Sequence, residues 1–406
     1  DYGLVGNDAG AGYYSYMALY DSKQNHNTGA YYLSQLANTK LKWETGASFG
    51  IGVDARLFNR WNISAEYFDK RNKDLLFNVY LPLSAGATSS SSAEATITEN
   101  MGTISNRGFE INTDVDIFKN KDWTVNLSAN ASFIKNKIVE LPEQDKDGII
   151  SGIYKIAEGK SRYEFFTYTY VGVDQMTGNS LYKANLENYH VTTADGQTVG
   201  NADGNDISKY VTQIGNEYYV NNTSYALKEY HGSAIPKVYG SFAPSVRYKD
   251  LSLSLMFTYS IGGKVYDAVY SSLMSTGTTP SNYHKDILKS WSEIPSGMTE
   301  DSQDRIWYGG IPQINSSMTS TNNATSSRWL TDASYLVLKN INMSYSLPKA
   351  WVNALTLESI RLNLSCENAF TCTKRRGMNP QQSFNGYQYN YLVTPRVFTI
   401  GVDVKF

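Results

Sequence analysis

The sequence predicts an all-β fold and, within that class, a transmembrane antiparallel β-barrel. Three observations lead to this prediction. Stretches of strand length alternate strictly between apolar and polar residues, as a strand with one apolar and one polar face requires. The segments that join them are alternately very short and very long, which is typical of barrels that cross a membrane. Tyrosine is unusually frequent, with 32 among 406 residues, and such barrels carry aromatic girdles at both membrane interfaces.

Six stretches carry the alternation, and most approach the roughly 9–11 residues that a tilted strand needs to cross a bilayer. They are residues 46–58, 108–118, 123–133, 251–261, 360–366 and 395–406. Because successive side chains of a strand point to opposite faces, each stretch presents one apolar and one polar face. We therefore expect the apolar faces to meet lipid and the polar faces to line the lumen.

The last of these stretches is predicted to be the strand that closes the barrel and directs its assembly. It ends the chain on an aromatic residue, as outer-membrane barrels often do. Asp403 and Lys405 are expected to face the lumen. The opposite, lipid-facing side is formed by Phe398, Ile400, Val402, Val404 and Phe406.

The connections predict about eleven strands in this chain. The tight turns are residues 58–60, 119–122, 175–179, 249–250 and 348–357. The long segments are residues 81–95, 138–162, 189–236, 264–331 and 370–394. Ordinary domains seldom carry several structureless loops of this length. An odd number of antiparallel strands cannot close an up-and-down barrel, so we expect the chain to be a fragment that needs an N-terminal partner half.

Composition excludes several other classes of protein. The formal net charge is −2, which does not favour a nucleic-acid partner. No run approaches the ~18 apolar residues of a membrane-spanning helix. Cys366 and Cys372 are too few for a disulfide framework and lack the neighbouring histidines of a zinc site, so we expect two ordinary thiols or one local bridge.

No constellation of residues indicates catalysis, and we predict that the protein is not an enzyme. The four histidines all fall in long segments, without a nucleophile or a metal-ligand spacing around them. The carboxylates of the polar strand faces, such as Glu66, Asp114 and Asp116, are expected to line the channel or to contact a domain inside it. The predicted role is therefore binding or passage of a ligand rather than its conversion.

Two aromatic clusters in the long segments are the candidate ligand-binding residues. Aromatic rings stack on sugar rings, and amide side chains bind hydroxyl or peptide groups, so these clusters suit either ligand. The alternative is that the rings pack the loops together. The candidates are Trp307 and Tyr308 in one segment, and Tyr387, Tyr389 and Tyr391 in the other.

From end to end, the chain resembles the C-terminal half of the SusC/RagA family of TonB-linked outer-membrane importers. The resemblance is carried by the order and spacing of several motifs. Among them are Leu41-Lys42-Trp43-Glu44-Thr45, Met101-Gly102-Thr103-Ile104-Ser105-Asn106-Arg107-Gly108-Phe109-Glu110, Ile235-Pro236-Lys237-Val238-Tyr239-Gly240, Gly262-Gly263-Lys264-Val265-Tyr266-Asp267, Asp332-Ala333-Ser334-Tyr335-Leu336 and Glu367-Asn368-Ala369-Phe370.

The resemblance implies that residues 1–406 are about half of a 22-stranded barrel in the outer membrane of a Gram-negative cell. It implies a plug domain and a first barrel half, both outside this sequence, and a SusD-like lipoprotein that acts as a lid. Active import driven through TonB is the implied function, with a glycan as the commoner substrate and an oligopeptide as the alternative.

Two further interpretations accompany the resemblance. Many relatives carry an Asp-rich stretch in the segment that here reads Ala202-Asp203-Gly204-Asn205-Asp206, which lacks the ligand spacing and closing Glu of a calcium loop, so no metal or other cofactor is expected. The competing functional classes are a soluble all-β carbohydrate-binding or adhesion protein and an outer-membrane hydrolase. Neither accounts for the motifs in their order.

Overall fold

The computed structural model describes residues 1–8, 12–25, 27–80, 96–275, 282–375, 377–389 and 393–406. Its largest element is a ten-stranded antiparallel sheet, called here the wall. The wall strands are β1 (Tyr2–Asn7), β2 (Glu44–Leu57), β3 (Trp61–Lys73), β4 (Thr103–Lys119), β5 (Trp123–Glu140), β6 (Val238–Tyr248), β7 (Leu251–Ile261), β8 (Tyr335–Ser346), β9 (Ser359–Thr373) and β10 (Val397–Lys405).

Each wall strand pairs with the strands that precede and follow it, from β1 at one edge to β10 at the other. The register places residues of like polarity side by side. Ile51, Tyr67, Phe109 and Phe133 are successive partners across β2 to β5. On the opposite face the successive partners are Asp54, Ser64, Asn112 and Asn130. The alternation in the sequence therefore becomes one apolar and one polar face of a single sheet.

The described residues contribute ten strands to the wall, against a predicted number of about eleven, so the argument from an odd number of strands does not apply. The turn at residues 175–179 joins two short strands, Tyr170–Asp174 and Ser180–Lys183, that belong to a different sheet. A two-stranded hairpin has the same local signal wherever it lies, so only long-range pairing distinguishes a wall hairpin from a loop hairpin. β1 runs toward a long connection, not toward a short turn.

The other tight turns are confirmed as connections at one end of the wall. Phe58 and Asn59 have positive φ values of 52° and 56°, as the two central residues of a primed hairpin turn require. Lys249 is also in the left-handed region between β6 and β7, and residues 120–122 join β4 to β5. The fourth connection on this side, between β8 and β9, contains a short helix.

Five smaller sheets form within the long connections among the described residues. Their strands are Leu19–Asn25, Thr28–Leu36, Leu76–Tyr80 and Thr96–Asn100; Ile149–Ser151, Tyr154–Ile156, Glu164–Tyr168 and Lys228–Ser233; Tyr170–Asp174, Ser180–Lys183, Val211–Ile214, Glu217–Val220 and Ile306–Trp307; Tyr189–Thr192, Thr198–Gly200 and Asn205–Asp206; and Lys264–Asp267, Leu330–Asp332 and Tyr387–Gln388. The two long segments predicted at residues 138–162 and 189–236 are therefore parts of one folded connection between β5 and β6.

Helices are few and short. The α-helices are α1 (Ala268–Leu273), α2 (Thr319–Asn322) and α3 (Lys349–Ala354), and single 3₁₀ turns occur at Glu143–Asp145, Ser208–Tyr210, Thr223–Tyr225, Lys285–Lys289, Ser316–Met318, Ser327–Trp329 and Pro380–Gln382. Within the described ranges, no helix is long and apolar enough to span a membrane.

Most of the buried core lies in the connections 141–237, 262–334 and 374–396, which together are called here the loop layer. Phe165, Tyr182 and Trp329 have no exposed surface. Tyr154, on the first of these connections, donates its hydroxyl to the carbonyl of Asn385 on the last, with an Oη–O distance of 2.7 Å. The long connections are therefore folded against one another and are not independent loops.

Cys366 and Cys372 both lie on β9, and both are free thiols. Cys366 falls on the apolar face, where it pairs with Phe398 of β10, and Cys372 is exposed near the end of the strand. Of the two alternatives for these residues, the structure has the ordinary thiols and not the local bridge.

Candidate ligand-binding pocket in the loop layer

A pocket of about 800 Å³ lies where the end of β9 meets α1 and the last long connection. This volume is within the range of small-ligand sites. Most of its lining residues are polar, and many of them carry amides or hydroxyls. The lining includes Asp267, Tyr270, His284, Asn368, Thr371, Thr373, Lys374, Arg375, Asn379, Gln381, Gln382, Gln388 and Tyr389.

Asp267 organises the α1 side of the pocket. Its carboxylate caps α1 by accepting a hydrogen bond from the backbone N–H of Tyr270, at 2.9 Å. The same carboxylate forms an ion pair with Arg375, with an Nε–Oδ2 distance of 3.1 Å. The Arg375 guanidinium lies 3.6 Å from the centroid of the Tyr270 ring, a cation–π contact. The pocket therefore contains an arginine whose charge is already matched.

Burial raises the pKa of Tyr270 above its ordinary value, in spite of the Arg375 guanidinium beside it, so this phenol is neutral at physiological pH. Tyr270 also donates its hydroxyl to Asp286, with an Oη–Oδ2 distance of 3.1 Å. Asp286 in turn contacts His284, whose Nδ1 lies 3.3 Å from the carboxylate. This side of the pocket is a connected set of aromatic and polar groups held in place by α1 and the turn that follows it.

The strand Tyr387–Gln388 forms the opposite side. It pairs in parallel with Lys264–Asp267, which sets Tyr387 beside Tyr266 and Gln388 beside Asp267. The rings of Tyr387 and Tyr266 stack at 5.3 Å with an interplanar angle of 10°. Burial is the main reason that the pKa of Tyr387 rises to about 12, so this ring acts as a neutral packing surface.

Gly386 allows this strand to reach its position. Its φ is +77°, and a Cβ atom there would lie 2.5 Å from the Cβ of Ala234 and 2.8 Å from the carbonyl oxygen of Lys264. A residue with a side chain would have to displace backbone, so glycine is required for both conformation and space. The close approach fixes the last connection onto the loop layer.

Gln388 is buried, and one of its polar atoms is unpaired. Its Nε2 donates to the carbonyl of Tyr389 at 3.2 Å. Its Oε1 is fully buried and accepts no hydrogen bond from the part of the chain that the structure describes. An unpaired buried acceptor costs about 1–3 kcal/mol. Because Gln388 lines the pocket, a rotation of its side chain toward a ligand hydroxyl or N–H would remove this cost.

A bulge in β9 determines where the strand ends and the pocket begins. The register between β8 and β9 shifts between Leu338 and Asn340, and Asn368 adopts a positive φ of 51°. The Asn368 side chain accepts from Lys339 Nζ and donates to the carbonyl of Pro395, both at 3.0 Å. Bulges of this kind redirect side chains at sheet ends and next to functional sites.

The predicted ligand-binding residues divide between two places. Tyr389 lines the pocket, and its ring lies 4.6 Å from that of Tyr387, which packs behind it. Trp307 lies in the sheet that contains Tyr170–Asp174, where it pairs with Val173, and the following Tyr308 is largely exposed. Neither of these two lines the pocket. Tyr391 lies outside the described residues.

Arg305, next to these aromatics in the sequence, has a structural role. It is buried and forms two hydrogen bonds to Asp174, from Nε to Oδ1 at 2.8 Å and from Nη2 to Oδ2 at 3.1 Å. Its Nη1 donates to the carbonyl of Glu300. Burial alone would raise the pKa of the Asp174 carboxyl, but the hydrogen bonds from Arg305 and the backbone outweigh it and hold that pKa below its usual value.

The sequence did not reveal the pocket residues Asp267, Tyr270 and Arg375, because they come from two segments that meet only in the folded loop layer. The amide-rich run Asn379-Pro380-Gln381-Gln382, close before the predicted aromatics, was a signal that could have been used. Gln388 stood within the predicted stretch, but its burial could not be inferred from the alternation of aromatics and amides.

The stretch at residues 202–206 has a local explanation. Asp206 accepts hydrogen bonds from the side chain and backbone N–H of Ser208, and these bonds lower the pKa of its carboxyl to about 2. Thr192 also donates to it, at 3.0 Å. In the part of the chain that the structure describes, no three His, Cys, Asp or Glu side chains converge as metal ligands.

The two-faced wall and the folded loop layer at one of its ends define a barrel-wall protein with a pocket on the loop side. The chain belongs to the TonB-dependent receptor-like β-barrel family, whose model matches residues 6–369. The predicted family resemblance and the predicted fold class are confirmed.

Individual relatives and one solved structure agree with this assignment. The chain is 26% identical to TonB-dependent receptor P3 of Formosa agariphila over 100% of its own length and 39% of that protein. It is 22% identical to TonB-dependent receptor SusC of Bacteroides thetaiotaomicron, over 91% of its own length and 32% of that protein. A chain of the RagAB peptide transporter superposes with a TM-score of 0.71 at 24% identity, covering 100% of this chain and 40% of that one. The sequence thus spans about two fifths of these relatives or less.

Proposed function

We propose that this chain is the C-terminal part of the barrel of an outer-membrane importer that takes up a nutrient too large for porins. The observation that carries the proposal is the wall itself, whose apolar face is exposed, whose other face is polar, and whose one end carries a folded layer with a pocket. Such a sheet is stable when lipid covers the apolar face and water or another polar domain covers the opposite face. The loop layer then lies on the cell surface and the short turns lie in the periplasm.

The remaining parts of the transporter are proposed from the family to which the chain belongs. The polar face, with Asp54, Asn112 and Asn130 in register, is the surface on which a plug domain from outside this sequence docks. A contact of that plug with TonB supplies the energy, and a SusD-like lipoprotein closes over the loop layer. The substrate passes through without chemical change, so the protein acts as a transporter and not as an enzyme, and it uses no cofactor.

A neutral glycan fits the pocket best. The positive charge of Arg375 is matched by Asp267 and its guanidinium is covered by the Tyr270 ring, so this arginine offers little free charge with which to select an ionic ligand. The unpaired Oε1 of Gln388 requires a donor, and sugar hydroxyls donate as well as accept. The exposed ring of Tyr389 offers a face for stacking. An oligopeptide is the second candidate, because a peptide N–H could also reach Gln388.

Binding measurements on the full-length protein with its lipoprotein partner test the substrate class. We expect members of a panel of neutral oligosaccharides to bind, and peptides of matched mass not to bind. Gln388→Leu should weaken glycan binding by about 0.5–1.5 kcal/mol, because one hydrogen bond is lost. Tyr389→Ala should weaken it by a similar amount through lost stacking. Tyr31→Ala, an exposed tyrosine remote in sequence from the pocket, is the matched control and should leave affinity unchanged. Peptide binding that depends on Gln388 would instead support an oligopeptide as the substrate.

Trp307 and Tyr308 remain proposed ligand contacts at a second place in the loop layer. Tyr308→Ala should weaken the binding of long oligosaccharides more than that of short ones, since only a long ligand could contact both places. An equal effect on all lengths, or none, would remove these two residues from the site.

Membrane extraction separates this proposal from a soluble carbohydrate-binding or adhesion protein. The full-length protein should remain in washed membranes in carbonate or high salt and leave them only in detergent. Uptake of the bound oligosaccharide by cells should stop when TonB is deleted or the proton gradient is collapsed. Release without detergent would contradict the barrel, whereas uptake without TonB would contradict only the mechanism.

A further inference from the structure

Helix α3 is an unusual connection between two wall strands. It joins β8 to β9 on the side where the other connections are tight turns. Pro348 precedes its first residue, a position where proline's fixed φ suits the start of a helix and its missing N–H costs nothing. Val352 is its one buried residue, and the helix packs against β9. It is therefore a fixed element of the wall and not a free loop.

The exposure of two β9 residues indicates which face α3 covers. Ile360 pairs with Val404 and Leu364 pairs with Ile400, so both lie on the apolar face. Leu364 is 42% exposed, but Ile360, at the α3 end of the strand, is 9% exposed. Cross-strand neighbours shield both side chains in part, and Ile360 differs from Leu364 in lying at the end of β9 that is next to the helix. Because α3 packs on β9, we infer that it lies over this end of the apolar face.

Two large apolar side chains of this region point away from the packed side. Trp351 and Leu355 are four residues apart, so they lie on one side of the helical turn, and they are 63% and 60% exposed. They add nothing to the buried packing of the helix, which Val352 provides. A tryptophan and a leucine exposed on one side of the helix offer an apolar surface to a partner outside the described chain.

The surroundings indicate what that partner is. At the same end of the wall, the rings of Trp123 and Tyr248 contact each other at 4.4 Å on the apolar face. Tryptophan and tyrosine collect at the boundary between hydrocarbon and headgroups. Each of the four short connections also carries a cationic side chain suited to lipid phosphates: Arg60, Lys121, Lys249 and Lys349.

We propose that α3 is a membrane-interface anchor that binds the phospholipid surface on the short-turn side of the barrel. Trp351 and Leu355 insert among the headgroups and the first acyl carbons, and Lys349 reaches the phosphates. The helix thereby fixes the depth of the last two wall strands in the bilayer. This inference rests on the proposed membrane location of the wall.

Depth-dependent fluorescence quenching tests the anchor. The full-length protein, with Cys366 and Cys372 replaced by serine, is labelled with a small fluorophore at Trp351→Cys and reconstituted into phosphatidylethanolamine–phosphatidylglycerol vesicles. The vesicles contain lipids that carry a nitroxide at the headgroup, at an upper acyl carbon or at a lower acyl carbon. Asn353→Cys, on the opposite side of the same helix, is the matched control, and Leu364→Cys in the middle of the apolar face reports the wall.

We expect the label at position 351 to be quenched by the headgroup and upper-acyl nitroxides at least several-fold more than the label at position 353. The label at position 364 should be quenched most by the lower-acyl nitroxide. Equal, weak quenching at 351 and 353 with strong quenching at 364 would overturn the anchor and leave the barrel intact. Absence of quenching at all three positions would overturn the membrane location and the anchor with it.

Discussion

In the loop layer Phe165, Tyr182 and Trp329 are fully buried, whereas in the wall Ile400 is 80% exposed and Val53 is 69% exposed. The chain thus contains two regions whose apolar side chains are covered in different ways. The loop layer buries its apolar side chains against itself, as an ordinary globular domain does. The wall presents them outward in register and leaves them for the surrounding medium to cover. The same residue types therefore stabilise the first region internally, whereas in the second their contribution depends on what covers the wall.

Two ion pairs of the loop layer whose aspartates are buried extend this comparison to polar groups. Asp174 and Arg305 are both buried, and their hydrogen-bonding groups are used by each other and by nearby backbone. Asp267 is equally buried, but its partner Arg375 is partly exposed at a pocket. A fully buried ion pair such as Asp174–Arg305 holds segments together. An ion pair at a pocket wall, such as Asp267–Arg375, also offers polar groups to a ligand. The loop layer therefore provides both a buried core and the lining of the pocket.

The largest expected effect comes from opening the core of the loop layer. Trp329→Ala removes a fully buried ring whose Nε1 donates to the carbonyl of Ala324 at 2.9 Å. The cavity should cost about 3–5 kcal/mol. Hydrogen exchange should then accelerate across residues 141–237 while the wall strands stay protected. Tyr308→Ala, an exposed aromatic, should change protection little. Faster hydrogen exchange in the wall strands of Trp329→Ala would show that the wall and the loop layer do not unfold independently.

Introducing a charged side chain on the apolar face of the wall should have the next largest effect on stability. Leu364→Arg places a cation toward lipid near the middle of β9 and should cost about 2–4 kcal/mol, because arginine is desolvated there. Ser365→Arg, one residue along on the polar face, is the matched control. Urea titration of the full-length protein in vesicles should show a lower midpoint for the first variant only. Equal midpoints would contradict the assignment of the two faces.

The buried pair Asp174–Arg305 should make the loop layer sensitive to acid. The pKa of folded Asp174 is lowered, so its stabilising contribution is complete above the unfolded pKa of about 4 and is lost as pH falls through the folded value. Asp174→Asn should cost about 1.5–3 kcal/mol at neutral pH through loss of a charge-assisted hydrogen bond. The acid sensitivity of exchange in this region should also decrease. An unchanged acid profile in Asp174→Asn would exclude this pair as its cause.

The smallest effect is expected at the exposed end of the wall. Lys405 Nζ lies 2.5 Å from Glu358 Oε1, and both side chains are more than half exposed. Such surface pairs contribute about 0–1 kcal/mol. Lys405→Ala should therefore leave the urea midpoint nearly unchanged. A loss as large as that of Leu364→Arg would mean that this end of β10 is buried in the assembled barrel.

Most of the wall could be predicted from the sequence, since the period of two and the turn residues are local properties. The strict alternation at residues 395–406 gave the two faces of β10 correctly, and residues 58–60 and 249–250 form the expected turns. The loop layer could not be predicted in this way. Its strands are mostly three to five residues long. Two of its sheets also pair strands from different connections, Tyr170–Asp174 with Ile306–Trp307 and Lys264–Asp267 with Tyr387–Gln388. The turn at residues 175–179 was assigned to the wrong sheet for this reason.

The residues of the candidate site divide in the same way, into those that the sequence identified and those that it did not. Tyr389 was found because aromatics interleaved with amides form a compact local pattern. Asp267, Tyr270 and Arg375 were missed because a capping aspartate, a helix tyrosine and a loop arginine carry no shared pattern until α1 and the last connection meet. The sequence stretch that includes Arg305 looked like part of a ligand site, and burial against Asp174 made that arginine structural.

The sequence alone determined that this chain forms a two-faced antiparallel wall with turns at one end and long connections at the other. Side-chain alternation and turn conformation depend only on neighbouring residues, so they can be read without the fold. The tertiary structure alone decided which hairpins join the wall, where the buried core lies and which side chains line the pocket. Those outcomes depend on contacts between residues from separate connections, and such contacts exist only after the loop layer has closed on itself.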